Sequence, residues 1–141
     1  MSPASAVAVA AIFVWLGMVI AISFLEAPLK FRAPGITLQL GLGIGRLVFR
    51  ALNGCELALA VALVVALVIS SPGAAVWAAS VVAIAMLLAQ VLLVRPRLSK
   101  RSDAVLAGEE GPRSRAHYVY VGLEIVKVVG LLVAGVVLLA A

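Results

Sequence analysis

The chain has 141 residues, 65% of them hydrophobic and only 12% charged, against roughly 45–50% and about 25% in an ordinary soluble domain. A single soluble domain of this size cannot hide so much apolar surface, whereas a bilayer can. The net charge of +5 does not point to nucleic acid, because ten of the eleven Lys and Arg residues fall within 30–50 and 95–115, each stretch beside an apolar run; this is how anchors at anionic lipid headgroups are distributed.

A span needs about 20 apolar residues to cross roughly 30 Å of hydrocarbon. Residues 4–25 carry no charge, and they predict a first helix. Nothing before Glu26 is charged, so the positive n-region of a signal peptide is lacking and the helix is expected to be retained. Residues 26–34 hold two prolines and three charges, which predicts a helix end and a turn. The apolar stretch 35–70 is too long for one span, reaching roughly 50 Å as a single helix. Its glycine-rich first part, 36–45, followed by Arg46 and Arg50, predicts an interfacial or bent segment feeding a second span over 48–69. A helix running straight from the loop into the span is the competing geometry.

Ser70, Ser71, Pro72 and Gly73 predict a tight turn. The third span is expected over 74–94, stopping at Arg95, Pro96 and Arg97. The hydrophilic stretch 95–115 then predicts a mobile turn at 108–112 and a short surface helix over 99–107, capped by Ser102 or Asp103. The fourth span is expected over 116–139. The whole is one all-α domain, a four-helix transmembrane bundle. The basic segments 26–47 and 95–115 share one side and belong in the cytoplasm by the positive-inside rule, with both ends of the chain outside and the protein in the plasma (inner) membrane. A faint internal repeat pairs Trp15 and Trp77, each followed by a basic, proline-containing segment and then by a helix bearing a glutamate.

An ionisable residue inside a span is costly and marks a candidate site. Glu56, Glu124 and Lys127 are three such residues. On the fourth helix Arg113, His117, Tyr120, Glu124 and Lys127 form one stripe within about 80°. Lys127 lies about 18 Å along the axis from Arg115, and Glu124 can pair with it at i,i+3. On the second helix Arg46, Arg50, Asn53 and Glu56 form a matching stripe within roughly 120°. Turned inward, the stripes place Asn53, Glu56, His117, Tyr120, Glu124 and Lys127 in one polar seam between helices 2 and 4. Arg46, Arg50 and Arg113 stand at its cytoplasmic mouth, and Gln90 and Glu26 are within range of joining. The bland alternative is a set of polar contacts that lock helices together, worth about 0.6–2 kcal/mol each.

Cys55 is the only cysteine, which excludes an intrachain disulfide and a multi-cysteine metal site; it is expected as a buried free thiol. Trp15, Trp77, Tyr118 and Tyr120 are expected as belt or packing residues. The glycines of 41–45 follow no strand and precede no Lys-Ser/Thr, so a phosphate loop is not indicated; close helix approach or a bend is. No nucleophile–histidine–carboxylate motif, zinc motif or nucleotide motif is present, so no metal or cofactor is expected.

Trp15-Leu-Gly17, Phe24, Pro28-Leu-Lys-Phe-Arg32 and Arg46-Leu-Val-Phe-Arg50 together resemble the transmembrane protein 205 family and its bacterial relatives, which are small four-helix membrane proteins. Arg95-Pro-Arg97 and His117-Tyr118 are compatible with it. The resemblance covers about half of the chain and implies the four-helix layout, but it brings no biochemical activity.

The residues thus lead to a membrane protein that binds or conducts a small solute or ion through the seam between helices 2 and 4, with proton coupling through its carboxylates. Four helices leave little room for a pathway, which suggests a homo-oligomer. One alternative is a structural or accessory subunit that uses the seam for docking. Another is a membrane-embedded enzyme holding a quinone, haem or lipid against His117 and Tyr120.

Overall fold

The computed structural model describes residues 1–107 and 115–141. It is all-helical, with four helices long and apolar enough to cross a membrane: α1 (Pro3–Arg32), α2 (Leu38–Ser70), α3 (Ala74–Val105) and α4 (Arg115–Ala140). Local chemistry sets several of their ends. The Ser2 hydroxyl accepts the Ser5 N–H at 3.1 Å, and Pro3 occupies the first turn of α1, where its missing donor costs nothing. Thr37 caps α2 in the same way, accepting from Leu40 N–H at 3.0 Å. The α2–α3 turn begins at Ser71, which is left-handed at φ 49° and donates its N–H to the Leu67 carbonyl.

Three expected breaks are not made. α1 does not stop near Leu25 but continues to Arg32, α2 is continuous from Leu38 with no bend or interfacial segment, and α3 passes through Arg95 and Pro96. The short helix expected to be capped by Ser102 or Asp103 is therefore the end of α3 and has no cap there. The expected turn at 108–112 and Arg113 lie outside the described residues.

Two π-helical stretches, Ile20–Glu26 in α1 and Gln90–Val94 in α3, explain how the prolines are accommodated. After each stretch the next residue reaches five positions back: Ala27 N–H to the Ile22 carbonyl, and Arg95 N–H to the Gln90 carbonyl. A proline comes immediately afterwards in both, Pro28 and Pro96. The wider turn removes the carbonyl that a proline ring would otherwise strike. The glycines of α2 serve close approach rather than bending: Gly41 faces the Phe31 ring, and a Cβ on Gly45 would lie 2.9 Å from Lys30 Nζ.

The matching π stretches reveal a repeat in a different register from the tryptophan pairing. Pro28 and Pro96, Gly54 and Gly122, Glu56 and Glu124, and Leu63 and Leu131 are each 68 residues apart (124 minus 56). Burial obeys the same register. Ala8 and Val76, Trp15 and Ala83, Val19 and Leu87, Glu56 and Glu124, and Ala66 and Ala134 are all buried. Helix α1 thus corresponds to α3 and α2 to α4, while Trp15 corresponds to Ala83 and not to Trp77. The halves are not packed symmetrically: α1 lies closely on α4, whereas α2 touches the Ala74–Ala89 part of α3 only sparsely and meets that helix again over Arg95–Leu106.

The basic segments gather at one end of the bundle, and the Ser71–Gly73 turn lies at the other. Towards the turn end the core is almost wholly apolar, built from residues such as Ile12, Leu63, Leu67, Val76, Leu131 and Leu138, with Ser80 buried beside them. The outside of the bundle is apolar too: Leu47, Val61, Val68, Ile69 and Leu93 are largely exposed. Cys55 belongs to that outer face and is exposed rather than buried. It lies about 100° around the helix from Glu56, which takes the inward position.

Candidate functional site

Midway along the bundle lies a buried charge network drawn from all four helices. Lys127 and Glu56 have no exposed surface and Glu124 almost none. The Lys127 ammonium contacts Glu56 Oε2, lies 2.5 Å from Glu124 Oε1 and donates to Gln90 Oε1 at 2.8 Å. An ammonium has three donors, and three side-chain oxygens surround this one. The carboxylates are held from other sides as well. Trp15 Nε1 donates to Glu56 Oε2 at 2.8 Å, and Asn53 Nδ2 donates to Glu56 Oε1 at 3.1 Å. Ser23 Oγ donates to Glu124 Oε2 at 2.7 Å, and Gln90 Nε2 donates to Glu124 Oε1 at 3.3 Å.

Both π stretches feed this network, since Ser23 lies within the first and Gln90 opens the second. Such bulges recur at functional sites because they re-aim side chains. Arg95 comes directly after the second stretch and joins the network to the basic end. Its Nη2 donates to Asn53 Oδ1 at 3.0 Å and to the Tyr120 hydroxyl at 3.2 Å, and its guanidinium carbon sits 5.1 Å from the Tyr120 ring centroid.

The charge balance is the main chemical feature. Two carboxylates share one ammonium, so the fully ionised triad carries one net negative charge in the buried interior, where an unbalanced charge is expensive. Arg95 is the nearest further cation in the network, acting across Asn53 and Tyr120. Anything that draws Arg95 away leaves the triad without this second cation.

Above the network, at the basic end, is a chamber of about 350 Å³. Glu124, Tyr120 and Ser23 form part of its wall next to the network, Phe24, Leu42 and Leu98 supply apolar surface, and Lys30, Arg46, Arg95 and His117 bring positive or titratable groups. The helical extensions beyond Glu26 and Arg95, and before Val48, are what enclose it. A second cleft, of about 650 Å³, opens between α2 and α3 and takes in Arg50, Gly54, Arg46 and Arg95.

The structure brings Asn53, Glu56, Tyr120, Glu124 and Lys127 into one cluster, but the seam is not confined to helices 2 and 4. His117 lies in the chamber wall, with its ring 5.6 Å from that of Tyr118. Arg46 borders the chamber and pairs with Asp103 at 2.6 Å, whereas Arg50 borders the second cleft instead. Gln90 is central. Glu26 contributes no hydrogen bond to the network, and its Oε2 is buried without a partner among the described residues. Trp15 is a fully buried hydrogen-bond donor rather than a belt residue. Spacing alone missed Ser23, Trp15 and Arg95: Ser23 and Arg95 are placed by the π stretches, and Trp15 is a donor only because Glu56 lies opposite it. No protein-family model, characterised protein or solved structure matches the chain.

Proposed function

We propose that the protein spans the plasma (inner) membrane four times and binds a small solute or ion in the chamber, exchanging a proton with the buried network as it does so. The apolar outer face and the four long apolar helices support insertion. The clustering of Lys and Arg at one end supports a cytoplasmic chamber, with Pro3 and Ala140 on the opposite side. Glu124 and Glu56 are the proton-exchanging carboxylates, Lys127 is their tethered counter-charge, and Arg95 relays the presence of solute. Arg46, with Arg50 alongside, sets the potential at the mouth.

One observation carries this reading: two buried carboxylates share a single ammonium, and one of them, Glu124, also borders a chamber at the basic end. The apolar packing towards the turn end argues for binding rather than conduction within one protomer, so flux across the membrane would use a homo-oligomer. Infrared spectroscopy of the protein in lipid discs tests the proton step. A protonated carboxyl band that titrates, exchanges readily with heavy water and disappears in Glu124→Gln is expected. A band that never exchanges, or no band at any pH, would remove the mechanism.

A second reading has a specific observation behind it. The carboxylates and the ammonium of the triad all have hydrogen-bond or ion-pair partners, as in a polar lock that fixes helix register or docks a partner. It expects Glu124→Gln to lower thermal stability or assembly and to leave no titrating carboxyl to detect.

A further inference from the structure

We infer that the chamber's ligand is an organic anion with an apolar body, its head held between Lys30 and Arg95. This rests on the reading of the chamber as a solute site and names the chemistry it selects. The two cations converge on one aromatic ring. Lys30 Nζ lies 6.0 Å from the Phe49 centroid and 5.5 Å from that of Phe31, and the Arg95 guanidinium carbon lies 5.5 Å from Phe49. Aromatic faces stabilise cations but do not neutralise them.

Among the described residues, neither cation has a carboxylate partner. Arg46 pairs with Asp103, and Lys127 with Glu56 and Glu124. Arg95 Nε is buried and makes no hydrogen bond, although its two bonds to Asn53 and Tyr120 hold the group in position. Two like charges lining one chamber with largely apolar walls are a site short of a negative charge. A carboxylate or phosphate head would supply that charge and accept the spare N–H donors. The walls formed by Phe24, Leu42 and Leu98 would then cover an apolar body, in a volume of about 350 Å³ that suits a small molecule. Inorganic phosphate would leave those walls unused. The same chemistry fits a soluble organic acid or an amphiphile entering from the bilayer.

The test is calorimetry of the full-length protein in detergent with 1-naphthoate and octanoate, their neutral amides, and inorganic phosphate. The expected result is one saturable site for at least one carboxylate, with the matching amide and phosphate at least tenfold weaker. Lys30→Gln should weaken binding about tenfold, and Arg97→Gln, an exposed residue outside the chamber wall, should leave it unchanged. Lys30 makes no bond to the buried network, so its variant remains informative if Arg95→Gln fails to fold. Equal affinity for acid and amide, an unaffected Lys30→Gln protein, or no binding of either carboxylate would overturn the inference. A native mass spectrum of protein drawn from its own membrane separates the sources. An anionic amphiphile displaced by the carboxylate assigns the ligand to the bilayer, and binding without such an adduct assigns it to the soluble pool; both support the anion site. The infrared carboxyl band reads the proton step and calorimetry reads the anion site, so loss of one and loss of the other are separable.

Discussion

Glu56 and Glu124 hold the same position in the two halves of the chain, 68 residues apart (124 minus 56), and both contact the ammonium of Lys127. The repeat is broken where it matters chemically, because Leu59 stands where a second lysine would be. The repeat places one carboxylate in each half, and Lys127, which has no counterpart, is their single counter-charge.

Removing that counter-charge should be the most damaging single change. Lys127→Met leaves two buried carboxylates facing each other, and stability should fall by about 3–5 kcal/mol. Adding Glu56→Gln and Glu124→Gln should restore most of the loss, since a neutral network has no charge to balance. Thermal unfolding in detergent monitored by circular dichroism distinguishes these cases, and a mild Lys127→Met protein would count against the charge accounting.

Trp15 should matter through its N–H as well as its bulk. Trp15→Phe keeps a ring of related shape but removes a hydrogen bond to a charged acceptor, a loss of about 1.5–3 kcal/mol. In a Trp77→Phe background, Glu56→Gln should shift the emission of the remaining Trp15, because the indole N–H then faces a neutral amide. An unchanged spectrum would mean that the contact is not formed in solution.

Gly45→Ala separates folding from binding. The new methyl meets the flexible end of Lys30 at 2.9 Å, which moves at small cost, while alanine favours the helix by up to about 1 kcal/mol. Melting temperature should hold or rise and 1-naphthoate affinity should fall, as judged by unfolding and calorimetry on the same preparation.

The Arg46–Asp103 pair is well exposed on both sides, so Asp103→Asn should change stability by less than about 1 kcal/mol, and by less still in high salt. A larger loss would show that the end of α3 depends on this contact to stay against α2.

The four helices were legible because a run of about 20 apolar residues has few soluble explanations. Glu56, Glu124 and Lys127 were legible because charges within such runs are conspicuous, and helical spacing turned Tyr120 and Lys127 to the same face as Glu124. The prolines misled. Pro28 and Pro96 read as helix stops, yet a π turn ahead of each carries the helix past it, and the extra residue rotates the remainder of the helix by about 100°. That rotation turns Arg95 from an expected boundary anchor into a partner of Asn53 and Tyr120. Trp15 was misjudged for a related reason: a tryptophan in an apolar helix carries no sign of which way its N–H points until Glu56 is placed opposite it.

The proposed coupling between chamber and network runs through Arg95, and the proton stoichiometry of anion binding tests it most directly. Calorimetric titration of the protein with 1-naphthoate, repeated in buffers of different ionisation enthalpy, gives the protons taken up per anion bound. About one proton in the unaltered protein and none in Glu124→Gln would establish the coupling. Binding of 1-naphthoate with no proton uptake in the unaltered protein would contradict it and leave the buried triad as a lock between helices.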